Sequence, residues 1–189
     1  MVDRSSINPD AKALEDAFFA RENAQLLQQM RARTERTQQR EALRAAMGKI
    51  DDATLDRLLA LGVSAETVLA LTLVPLVRVA WADGELDARE RAAVARAADE
   101  RGLTQGTPGH TLLSSWLTTR PDDTLLRTWK EYMAAIWPQL AELERQELRD
   151  YIVGLARGVA EAAGGLLGLG FKVSAAEAAV LKETEAALA

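Results

Sequence analysis

Residues 77–98 read VRVAWADGELDARERAAVARAA, and the fold turns on how the middle of this stretch is understood. An apolar run ends at Trp81. Four acids, Asp83, Glu85, Asp87 and Glu90, gather around Gly84, and an Ala-rich pattern resumes after them. One reading is a joint between two helices. Gly84 ends the first in a left-handed conformation, Asp87 caps the second, and Glu90 stands three residues on as the other half of an acidic capping box. Both carboxylates also suit the positive end of the helix dipole. The other reading is a divalent-cation site. With Gly84 at the sixth position of a calcium loop, Asp83, Leu86, Asp87 and Glu90 fall where such loops want them. Val79 and Trp81 then occupy the first and third positions, which require oxygen ligands, so half the loop is empty. Capping is the stronger reading and the cation site the weaker; the residues leave both open.

The stretch has an echo. Residues 173–181, VSAAEAAVL, follow residues 86–94, LDARERAAV, with Ser174 at the place of Asp87 and Glu177 at that of Glu90. The positions of Asp83, Gly84 and Glu85 hold Gly170, Phe171 and Lys172. What repeats is the capped joint. Only the first copy carries extra acid.

Outward from the joint, nearly every segment has helical period, and none alternates convincingly as a strand would. Asn8 and Pro9 open a helix with no Gly or Pro before Gly48, so one helix of close to forty residues is expected. Leu14, Phe18, Leu26, Leu27 and Met30 give its early part an apolar character, expected to pack on the bundle or on another chain. Residues 31–44 carry five Arg against two Glu, a local +3 on a chain of net charge −5. Such a run is usually a solvated face; it also suits an acidic partner surface, including residues 83–90 of another copy. A second helix spans about 51–61. Ser64 is expected to cap a third, buried one that Pro75 kinks. Further helices follow Asp87, Pro108 and Pro121, a longer one covers about 141–163, and Ser174 caps the last.

The balance of residues sets bounds on function. With 48% hydrophobic and 27% charged residues, the chain is suited to packing rather than to disorder. An acidic chain, pI about 5.1, lacks the concentrated basic face of a general nucleic-acid binder. The absence of cysteine removes disulfides, thiolate metal sites and thiol nucleophiles together. His110, the sole histidine, has no triad or zinc spacing around it. The glycine-rich residues 164–170 miss the phosphate-loop pattern, because Phe171 separates Gly170 from Lys172. Trp81, Trp116, Trp129 and Trp137 stand among apolar neighbours as core or groove residues. No early apolar stretch or membrane-length run is present, and a cytoplasmic, soluble protein is expected.

An apolar helix running into VRVAWADGELDARERAAVARAA, with a degenerate second copy near the C-terminus, resembles the TerB-like superfamily. That group includes the tellurite-resistance protein TerB and the N-terminal domain of the DjlA co-chaperones. The resemblance covers about residues 49–189 and rests on the short A-D-G-x-x-x-x-x-E core. It implies an all-α helical bundle of two pseudo-repeated halves, here behind a long N-terminal helical extension at residues 1–48. It implies a non-catalytic binding or scaffold role, linked to stress response or to the membrane periphery. It also implies metal chelation by acids, which carries over to Asp83, Asp87 and Glu90, with Glu85 as a fourth, for a weakly held calcium or magnesium ion. Gly170 and Lys172 depart from the pattern and speak against two equivalent sites. The expected partner is a protein, with weak homo-oligomerisation through residues 10–45. The alternative is a metal-dependent enzyme on the same carboxylates. That would need a nearby general base, and the sequence shows no second cluster to supply one.

Overall fold

The computed structural model describes residues 9–163 and 173–189; the glycine-rich stretch at 164–170 lies outside them. The described elements are all helical: α1 Pro9–Met47, α2 Asp52–Ala60, α3 Val74–Ala80, α4 Ala88–Glu100, α5 Pro108–Thr118, α6 Asp123–Ile136, α7 Glu142–Ala163 and α8 Ala175–Ala187. Short 3-10 segments cover Val68–Leu73 and Trp137–Gln139. The chain divides into two compact units, one reaching to Glu41 and one spanning Ala42–Ala189.

The first unit is most of α1. As its sequence predicts, it is one uninterrupted helix, closed at Gly48, whose N–H bonds Arg44 O at 3.0 Å with φ +81°. Phe18, Phe19, Leu26, Leu27 and Met30 are 54–58% exposed. The side chain of Leu14 lies outside the described residues.

The second unit is a bundle around α3. Six of the seven α3 residues are fully buried, and only Arg78 reaches solvent, as befits a helix apolar on all sides. It packs against α4, α6, α7 and α8; α4 also packs on α7, and α2 on α6. Leu43 and Met47, in the last turns of α1, join this core together with Leu55, Leu58, Trp129 and Ile152. Ion pairs tie its surface, Arg57–Glu131 at 2.7 Å and Arg78–Asp123 at 3.0 Å.

The segment before α3 differs from the sequence reading. Ser64 does not cap a long helix. Its N–H donates to Thr67 Oγ1 at 2.7 Å, and that hydroxyl donates to Gly62 O at 3.2 Å. Thr67 thus closes a turn, the chain winds as a 3-10 helix to Leu73, and the α-helix begins only at Val74. Pro75 falls in its first turn, where a missing N–H costs nothing and no kink results.

Candidate functional site

The joint between α3 and α4 follows from local chemistry. At the end of α3, Trp81 N–H bonds Val77 O at 3.1 Å and Ala82 N–H bonds Val79 O at 2.9 Å. Gly84 N–H then turns back to Trp81 O at 3.1 Å with φ +99°, a conformation that favours glycine. Helix α4 opens on a complete capping box. Asp87 Oδ1 accepts the N–H groups of Arg89 at 2.7 Å and Glu90 at 2.8 Å, while Glu90 Oε2 accepts the Asp87 N–H at 2.8 Å. Asp83 Oδ1 accepts the Glu85 N–H at 3.1 Å across the turn. Three of the four acids singled out by the sequence are therefore bonded to the backbone of their own joint. Asp83, Glu85 and Asp87 are exposed and Glu90 is buried.

Burial decides the chemistry of Glu90. Desolvation pushes its carboxyl up to about 7; the Asp87 N–H opposes this, and the charges of Asp87, Asp83 and Glu177 add to it. Glu177 is the corresponding member of the second box. Its backbone N–H bonds Ser174 Oγ at 3.2 Å, its side chain accepts the Ser174 N–H, and it is buried as Glu90 is. The two boxed caps, 87 residues apart in sequence, thus bear on one another electrostatically. Sequence comparison finds both boxes, but no sequence signal brings them within electrostatic reach of one another.

Two further residues complete the joint. Trp81 Nε1 donates to Trp116 O at 2.9 Å, a carbonyl in the last turn of α5 that has no partner within its own helix. The end of α3 is thereby tied to the end of α5. A Cβ added at Gly84 would stand 3.4 Å from Arg120 Nη1, so the Arg120 guanidinium lies against the turn between the acids. Arg120 belongs to the loop after α5, and its spacing in sequence carries no hint of this.

As folded, the joint is occupied by its own hydrogen bonds. Among the described residues, no group of three or more His, Asp or Glu side chains is disposed to hold a metal ion. His110 lies in the first turn of α5, its N–H capped by Thr107 Oγ1 at 3.2 Å and its Nδ1 3.4 Å from Ser114 Oγ. Trp116 and Trp129 are buried core residues, and Trp81 and Trp137 are half-buried against that core. A cavity of about 430 Å³ opens between Arg78, Asp123, Arg127, Lys130, Glu131 and Glu183. Its three cations face three acids, two of them paired as Arg78–Asp123 and Lys130–Glu183, so it offers no net charge to a ligand. No described helix is long and apolar enough to cross a membrane. Comparison of the chain with protein-family models, with curated proteins and with solved structures gives no match.

Proposed function

We infer that this protein is a non-catalytic binding or scaffold module of TerB-like type, acting in the cytoplasm, in which the bundle is the folded body and α1 is the docking element. The observation that carries this reading is the row of five large apolar side chains, each more than half exposed, along residues 18–30 of one helix. Large apolar side chains grouped on an exposed element mark interaction surfaces. The capped joints before α4 and α8 support two pseudo-repeated halves, and the link to stress response rests on the sequence resemblance alone. Affinity capture should compare the intact chain with a Phe19→Ser/Leu26→Ser/Met30→Ser chain. Proteins held by the first and released by the second support the reading. Identical capture by both refutes it.

The second reading is a weak calcium or magnesium site formed by Asp83, Glu85, Asp87 and Glu90, or a metal-dependent enzyme built on it. It is favoured by the crowding of Glu90 by Asp87, Asp83 and Glu177, which a cation would relieve. Glu90 Oε2 is taken up by the Asp87 N–H, so an ion held there would compete with the cap. Titrating either cation to several millimolar while following tryptophan fluorescence tests this, since Trp81 adjoins the joint. A saturable change that is lost in Glu90→Gln supports the site, and no such change removes it.

A further inference from the structure

We propose that the occupant of the exposed apolar face of α1 is the same face of a second copy of this chain, laid antiparallel. This rests on the reading of α1 as a docking helix and says what docks there.

The geometry comes first. At about 100° per residue, Phe19, Leu26 and Met30 fall within roughly 40° of one another around the helix, with Phe18 and Leu27 flanking them on either side. The Phe18 and Phe19 rings meet edge to face with centroids 5.8 Å apart, which widens the stripe near its start. Past Met30 the stripe stops, and Arg31 and Arg33 follow. The apolar face is thus short, and it lies between two differently charged ends.

Charge order selects the partner and its direction. Residues 9–30 hold four acids (Asp10, Glu15, Asp16 and Glu22) against Lys12 and Arg21, a net −2, whereas residues 31–44 carry +3. A parallel copy would set the basic run against the basic run. An antiparallel copy centred on the stripe brings Phe18 level with the partner's Met30 and Glu15 level with the partner's Arg33. Apolar then meets apolar, and the acidic end meets the basic end, twice over by symmetry. The helix has no interior Gly or Pro to interrupt such a pairing.

Two other occupants fit less well. The acidic joint has Asp83, Asp87 and Glu90 bonded to its own backbone, with Arg120 set against it. A lipid surface calls for a polar face rich in Lys and Arg along the apolar stripe. Here Glu22, Asn23 and Gln29 lie along it instead.

The test uses the intact chain, which has no cysteine of its own. Sedimentation across a concentration series should show a monomer–dimer equilibrium. The Phe19→Ser/Leu26→Ser/Met30→Ser chain should dissociate at least roughly tenfold more readily, since three apolar groups are lost from the contact. Raising salt from about 50 to 500 mM should weaken the dimer, because exposed charges are then screened. Arg31→Glu/Arg33→Glu should weaken it too, and adding Glu15→Arg/Asp16→Arg to that variant should restore it. Direction is read from single cysteines: Asn23→Cys, near the centre of the stripe, should cross-link to itself under mild oxidation. Thr37→Cys, on the same face but far from the centre, should not. An intact chain that stays monomeric at high concentration overturns the proposal, as does self-linking at residue 37. Binding to anionic phospholipid vesicles without self-association overturns it as well. If the chain is monomeric yet the triple variant still loses captured proteins, the docking role of α1 stands and only the second copy is refuted. If the triple variant changes neither, both fall.

Discussion

Glu90 is a carboxyl held out of water, and its Oε2 accepts the backbone N–H of Asp87. Its folded-state value of about 7 lies above the ordinary 4.5. The folded state therefore binds more protons than the unfolded chain between these values. The contribution to stability is fully present below about 4.5 and is lost as the pH rises through about 7. Urea midpoints at pH 5 and pH 8 should show the intact chain losing on the order of 2 kcal/mol over that range relative to Glu90→Gln. Gln keeps an oxygen for the Asp87 N–H but cannot ionise. Equal pH dependence in the two proteins would remove Glu90 from the account. Asp87→Ala should cost about 1 kcal/mol through the lost cap. Because Asp87 also crowds Glu90, the same change should narrow the pH-sensitive window; an unchanged midpoint at pH 5 would show that Asp87 is not holding α4. Both caps were legible in the sequence because a capping box is written within four residues. Arg120 against Gly84 and Glu177 near Glu90 were not, since each depends on how distant helices pack.

Helices declare themselves by their ends, and most ends here follow their cap residues. Asp51, Thr107, Asp122 and Ser174 each accept an N–H from the first turn they precede. The exception is the entry to α3. S-x-x-T admits two arrangements, a serine cap facing forward or a threonine turning back, and sequence cannot choose between them. The structure takes the second: buried Thr67 bonds both Ser64 N and Gly62 O. Removing that hydroxyl leaves a donor and an acceptor unmatched together. Thr67→Val, nearly equal in volume, should then destabilise the bundle by about 1–3 kcal/mol in chemical denaturation. Ser64→Ala leaves its backbone N–H and the Thr67 hydroxyl in place, and should cost far less. A larger loss from the serine change would restore the reading in which Ser64 begins the helix.

Over the whole molecule, the fold class was legible because apolar residues recur at helical spacing almost everywhere and no segment alternates. The fate of α1 was only half legible. Its length follows from the absence of Gly and Pro, but its apolar residues gave no sign that they would remain in solvent. Nor did they show that Leu43 and Met47, beyond the arginine run, would enter the core. That division predicts how truncations behave. A chain beginning at Ala42 should unfold at the same temperature as the intact monomer, since the second unit keeps its core. A chain beginning at Lys49 loses fully buried Leu43 and nearly buried Met47, and should be weaker by roughly 4 kcal/mol. Equal stability of the two truncations would show that the last turns of α1 contribute nothing.

The exposed phenylalanines and leucines of α1 also bear on how long a solitary copy survives. A lone helix in water frays readily. In an unpaired α1, each fraying event presents Phe18, Phe19, Leu26 and Leu27 in the extended form that chymotrypsin-like and chaperone-linked proteases recognise. Pairing of the kind proposed would remove those side chains from solvent and damp the fraying. The lifetime of the protein would then depend on its own concentration, with newly made or surplus copies cut at α1 and paired ones spared.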